Sequence, residues 1–172
     1  MTRKSLKLIQ KLKNKRKITC LTAYTKSVSK IIDNYVDIIL IGDSLGTVIY
    51  GMKNTQSVTL DQMINHGKTV YNYSKKAFTI IDMPFKSYDT KKNALNNAKK
   101  LLKETKCQAV KIEVDKKNVD IVEHLVKNRI KVISHIGVTP QKYKNFNKIK
   151  SLGKKSKEQK EFLNLAFRLE EV

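Results

Sequence analysis

The sequence predicts an α/β fold built on a parallel sheet, and three observations carry that expectation. Short, dense runs of β-branched and aliphatic residues alternate with stretches whose apolar residues recur at helical spacing. Successive apolar runs end on polar or ionisable residues, as strands do where a parallel β/α fold builds its site. The chain has 172 residues, 40 % hydrophobic and 30 % charged. That suits one folded domain over residues 1–172 and argues against wholesale disorder.

The elements follow in order. Met1 to Arg16 is basic, but no apolar core or small-residue cleavage site follows, so it does not read as a secretory signal. Ile18 to Ala23 has strand character, and Ser27 to Asn34 has helical spacing. Asp37 to Ile41 is a β-branched run ending at Gly42, the pattern of a strand buried on both faces. A loop with Gly46 and Gly51 leads to a helix over Asp61 to Tyr73, with Thr59 as its N-cap. Ala77 to Ile81 is the next strand, stopped by Asp82-Met83-Pro84, and Thr90 caps a helix through Lys103. Ala109 to Glu113 is a strand, Asn118 to Lys127 a helix, and Lys131 to Ser134 a fifth strand. A Lys/Asn-rich loop follows Pro140, and Ser156 to Glu171 reads as the last helix. Two architectures fit such an alternation, an open doubly wound sheet and a (β/α)8 barrel. Five strands and this length favour the first, since a whole barrel takes ~250 residues; the polar strand ends favour the second.

The formal charge of +21 invites a nucleic-acid reading, but only four of the 36 basic residues are arginine: Arg3, Arg16, Arg129 and Arg168. Base-edge and bidentate phosphate recognition lean on arginine and concentrate charge on one face. Lysines spread along the whole chain fit solvated helix faces and weak, salt-sensitive attraction to polyanions instead. No run approaches the roughly 18 apolar residues of a membrane span. Cys20 and Cys107 are far apart and lack a CxxC partner, so the expectation is two small core residues in a reduced, cytoplasmic setting.

The chemistry is expected at the strand ends, from Asp43, Asp82, the pair Lys111 and Glu113, and His135. Lys111 and Glu113 are two apart on a strand and face the same way. Three carboxylates aimed at one point repel one another unless a cation lies between them, and an all-oxygen set suits Mg2+. Lys111 then offers its charge to an anionic substrate. Gly42-Asp43-Ser44-Leu45 also marks a class of serine esterases, but the Asp-x-x-His element that would complete such a site does not occur. His66 and His124 read as partly exposed helix residues.

At these motifs the chain resembles the ketopantoate hydroxymethyltransferase family. The blocks are Lys17-Ile18-Thr19-Cys20-Leu21-Thr22-Ala23-Tyr24, Ile41-Gly42-Asp43-Ser44-Leu45-Gly46, Asp82-Met83-Pro84-Phe85, Ala109-Val110-Lys111-Ile112-Glu113 and His135-Ile136-Gly137-Val138-Thr139-Pro140-Gln141. Their shared order and spacing make the match specific. The resemblance implies a (β/α)8 barrel, here incomplete with about five βα units, and a homodecamer in pantothenate synthesis. The implied reaction moves a hydroxymethyl group from 5,10-methylenetetrahydrofolate to 3-methyl-2-oxobutanoate. Asp43, Asp82 and Glu113 match the family's Mg2+ positions; Asp43, Ser44, Asp82 and Lys111 match positions that contact the oxoacid. His135 is a possible accessory hydrogen-bonding residue. The family's general base is a glutamate on the strand that would follow Val172, so no catalytic base is expected within these residues, and Glu170 and Glu171 belong to the preceding helix. The sequence departs from the family at Val114-Asp115, where two glycines are usual, at Thr25, often Asp, and in the Lys/Asn-rich stretch from Asn145 to Gly153.

Overall fold

The structure, a computed structural model, describes residues 2–172; of the basic N-terminal segment only Met1 lies outside the described residues. Five parallel strands, β1 (Cys20–Thr22), β2 (Ile38–Ile41), β3 (Phe78–Asp82), β4 (Ala109–Glu113) and β5 (Val132–His135), pair in the order in which they occur in the chain. That order decides between the two architectures. A doubly wound sheet reverses direction at a switch point, whereas each strand here adds beside its predecessor with the same crossover, as in a barrel. The fold is an arc of a (β/α) barrel with both edges open.

Helices α1 (Leu6–Gln10), α2 (Lys26–Ile32), α3 (Leu45–Val48), α4 (Leu60–Tyr73), α5 (Lys91–Thr105), α6 (Val119–Lys127) and α7 (Ser156–Glu170) complete the element order, with 3-10 turns at Pro140–Lys142 and Phe146–Lys148. Their starts are locally encoded. Thr59 and Gln62 form a reciprocal capping box on α4, Thr90 accepts from the Asn93 amide on α5, and Thr25 accepts from Val28 on α2. Threonine at position 25 therefore serves the cap that an aspartate serves equally well.

Alternation along the strands separates two cores. Ile39, Ile41, Ile81, Val110 and Ile112 point outward into the layer shared with α4, α5 and α6, and are fully buried there. Phe78, Ile80 and Ala109 point inward with Ile38, Leu40 and Ile133, and Leu6 and Ile9 of α1 pack against this inner face. The N-terminal segment is tied beneath the sheet. The Lys4 amide donates to the Lys76 carbonyl at 2.8 Å, Gln108 donates to the Lys4 carbonyl at 2.8 Å, and Arg3 binds the carbonyls of Tyr71 and Ala77.

The differences from expectation have physical reasons. Cys107 is buried as expected, but Cys20 is exposed, because β1 is an edge strand with no neighbour on one side and all three of its residues reach solvent. α1 and α3 were not expected; both are too short to stand without tertiary contacts. Gly67 lets α4 settle onto the sheet, since a Cβ there would lie 2.7 Å from both Ile81 Cδ1 and Thr105 Cγ2. Gly67→Ala is expected to destabilise by about 1–2 kcal/mol. Overpacking of roughly 1–3 kcal/mol outweighs the helix-propensity gain of about 1 kcal/mol. A urea titration checks this, and an unchanged or raised midpoint would contradict it.

Candidate functional site

The inner face is apolar at its lower end and charged at its upper end, because register places the strand ends side by side. Asp82 lies opposite Lys111, and Glu113 opposite His135. Asp43 follows β2 and reaches the same rim. Lys111 Nζ is 2.9 Å from Asp82 Oδ1, and the Asp43 backbone N–H donates to Asp82 Oδ2 at 3.1 Å. Asp43, Asp82 and Glu113 are buried, with relative exposures of 8, 4 and 7 %. Burial pushes the Asp43 carboxyl up to about 6, and the Asp82 charge adds to it. Burial likewise raises Glu113 to about 7, partly offset by the Gln141 amide that donates to it, with the charge of Asp43 pushing upward again. These two carboxyls thus sense the same cluster and hold protons more tightly than exposed carboxylates do.

The expected residues are therefore brought to one rim, with distinct surroundings. The Ser44 hydroxyl is 2.7 Å from the Tyr24 phenol. His66, which reaches the Tyr24 backbone, spends its ring nitrogens on the Tyr24 carbonyl and the Tyr50 phenol, at 2.7 and 2.9 Å. Ser44 therefore lacks the serine–histidine contact of an esterase. His135 Nδ1 lies 3.8 Å from Glu113 Oε1, and this buried nitrogen makes no hydrogen bond. Burial, then the Lys111 charge, lowers the His135 pKa, which favours a neutral ring. Val114 and Asp115 take no positive φ, so glycine is not required there. Val114 instead fills the core, and its amide donates to the His135 carbonyl. Glu170 is exposed and paired with Lys13.

Sequence reasoning missed what holds the cluster together. The Gln141 backbone amide donates to both Glu113 oxygens, at 3.3 and 3.2 Å, and its side-chain Nε2 donates to Asp43 Oδ2 at 2.7 Å and to the Met83 carbonyl at 3.0 Å. The Tyr88 hydroxyl donates to Gln141 Oε1. Gln141 closes one of the blocks that carry the family resemblance, but the sequence assigns it no role.

The family model for ketopantoate hydroxymethyltransferase matches residues 3–172. The chain belongs to this family. It is 46 % identical over all 172 residues to a 3-methyl-2-oxobutanoate hydroxymethyltransferase of Pelagibacter ubique (strain HTCC1062), covering 65 % of that protein. A relative of the same name from Anaplasma marginale (strain St. Maries) is 45 % identical over 146 residues, 85 % of this chain and 53 % of the relative. The chain thus spans between about half and two thirds of the length of these relatives. Among solved structures, a 2,3-dimethylmalate lyase of the PEP mutase/isocitrate lyase superfamily superposes with a TM-score of 0.58 at 18 % identity, over 74 % of this chain and 51 % of that one. This likeness concerns the fold.

Whether the rim suits Mg2+ is a question of donor chemistry. Among the described residues no three His, Cys, Asp or Glu side chains are grouped as a ready metal cage. Magnesium does not ask for one; it characteristically takes one or two carboxylates and fills its remaining positions with water and substrate oxygens. Asp43 and Asp82, linked through the Asp43 amide and carrying more negative charge than Lys111 alone neutralises, fit that habit. Glu113, drawn toward Gln141, fits an outer position.

Proposed function

We propose that this chain carries the oxoacid- and cation-binding part of a hydroxymethyltransferase that moves a hydroxymethyl group from 5,10-methylenetetrahydrofolate to 3-methyl-2-oxobutanoate, giving 2-dehydropantoate. The observation that carries the reading is the cluster of buried Asp43 and Asp82 with the partly exposed Lys111 at the charged end of the inner face, in a chain of this family. Bound by Asp43 and Asp82, Mg2+ would polarise the ketone of a 2-oxo acid and acidify the carbon beside it. Lys111 offers positive charge to the carboxylate of the acid while its own position is held by Asp82. Ser44, oriented by Tyr24, supplies a hydroxyl to the same ligand. His135, its Nδ1 buried 3.8 Å from Glu113 Oε1, borders the same rim with the exposed part of its ring. Removal of the carbon-bound proton needs a base, a contribution of roughly 10²–10⁴ in rate. None of Asp43, Ser44, Asp82, Lys111 and Glu113 is assigned that part; these residues serve binding and orientation.

Isothermal titration of 3-methyl-2-oxobutanoate with and without Mg2+ tests the reading. Binding is expected only with Mg2+, and more tightly at pH 8 than at pH 6. Asp43 and Glu113 titrate near 6 and 7 and must release their protons to serve a cation. Affinity that is indifferent to the metal would overturn it.

A further inference from the structure

Asp43 and Glu113 come from strand ends on either side of β3, and neither strand fixes the other's side chain. What spans the gap is Gln141, buried to 4 % exposure. Its orientation is forced by its partners. Asp43 Oδ2 and the Met83 carbonyl both accept hydrogen bonds, so they take the two hydrogens of Nε2. Oε1 is then left facing Tyr88, which must donate to it. The Tyr88 oxygen lies in turn 3.4 Å from the Glu113 backbone N–H, which donates to it. The result is a closed ring of contacts from the Glu113 amide through Tyr88 and Gln141 back to the Glu113 carboxylate, with one arm on Asp43. Gln56 adds a bond from its Nε2 to the Gln141 carbonyl at 2.7 Å, anchoring the turn from outside the ring.

We infer that Gln141 is a positioning residue for the cation–oxoacid site, and that the Tyr88 hydroxyl locks it in its working orientation. Gln141 presets the separation of Asp43 and Glu113, so that an arriving divalent cation meets a fixed carboxylate arrangement. The inference rests on the binding reading above and adds to it residues that touch neither cation nor oxoacid. Outer partners that orient metal-binding carboxylates typically contribute 10–100-fold in metal affinity.

The test uses Mn2+ as the probe, with free ion followed by electron paramagnetic resonance in the purified protein and thermal unfolding recorded in parallel. Gln141→Leu, similar in size but without donors, is expected to weaken Mn2+ binding about tenfold or more. Tyr88→Phe, which removes one oxygen and orphans Gln141 Oε1 and the Glu113 N–H, is expected to weaken it about threefold, with the unfolding midpoint lowered but the protein folded at the assay temperature. Because Tyr88 acts chiefly through Gln141, its one direct contact with the cluster being the long 3.4 Å bond from the Glu113 amide, the losses in the double variant should fall well short of multiplying, a non-additivity that simple loss of packing does not produce. If Gln141→Leu fails to fold, Tyr88→Phe decides. Wild-type Mn2+ affinity in Tyr88→Phe, or losses that multiply in the double variant, overturns the inference and leaves the binding reading intact. A wild-type protein that takes up no Mn2+ overturns both, and is distinguished by that result alone.

Discussion

Asp82→Ala is expected to lower Mg2+-dependent affinity for 3-methyl-2-oxobutanoate by at least ~100-fold. Both oxygens of this buried carboxylate are engaged, Oδ1 by Lys111 Nζ at 2.9 Å and Oδ2 by the Asp43 amide at 3.1 Å. Truncation removes a proposed cation ligand, orphans a buried N–H and frees the lysine that should face the substrate. A charged contact to a bound ligand is worth about 1.5–3 kcal/mol; losing the carboxylate on the cation and misplacing Lys111 against the oxoacid removes two such contacts, which amounts to two or more decades in affinity. Titration calorimetry with and without Mg2+ reads the effect. Affinity within a few-fold of the unaltered protein would remove Asp82 from the site. Asp82→Asn separates the contributions, because it keeps an acceptor for Lys111 but not the charge.

The largest expected effect on stability lies at the opposite end of the strands. Asp37 is 2 % exposed and accepts from both terminal nitrogens of Arg16 at 2.7 Å, from the Thr19 amide at 3.0 Å and from its hydroxyl at 3.2 Å, with Lys4 Nζ 3.1 Å away. The Arg16 guanidinium, followed by the Thr19 and Lys4 contacts, holds the Asp37 carboxyl well below the usual carboxylate range against the opposing effect of burial. Asp37→Asn should cost about 2–3 kcal/mol at neutral pH, below the ~3–5 kcal/mol of a fully buried broken pair, since Arg16 is half exposed. The sign of the pH dependence follows from the lowered value. The contribution is complete above the unfolded value of about 4 and fades as pH falls below it toward the folded value. Denaturant titrations at pH 7 and pH 3 should show the gap between the two proteins narrowing in acid. A gap that is constant across that range would refute the assignment.

The strand ends were legible because a parallel strand covered on both sides reads as an unbroken apolar run, so Asp43, Asp82 and Glu113 stand out where the runs stop. The choice of barrel over doubly wound sheet was only half legible: polar ends hinted at it, but strand order is a property of pairing. Cys20 misled because the run Ile18 to Ala23 has core composition, whereas only Ala23 is buried once β1 becomes an edge. α1 was hidden among lysines, and its reason for forming, Ile9 against Phe78 and Ile80, lies far along the chain. Gln141 was illegible as a functional residue for the same reason, its main partner Asp43 being 98 positions away. His66 looked like an ordinary helix residue, and nothing in its neighbours announces the bonds to Tyr24 and Tyr50.

The tie between the N-terminal segment and the underside of the sheet has a consequence in time. Residues 3–9 are made well before the partners that hold them, which include Ser74, Ala77 and, 104 positions on, Gln108. At ordinary ribosomal speeds that separation corresponds to roughly 5–20 s of synthesis. Throughout that interval Leu6 and Ile9 have no finished surface to meet, and Arg3 has no carbonyls to bind. This segment therefore docks late relative to its own synthesis, closing the bottom of the inner face only after β4 has joined. A nascent chain halted before Gln108 should leave this segment open to proteases, and one extended past β4 should protect it.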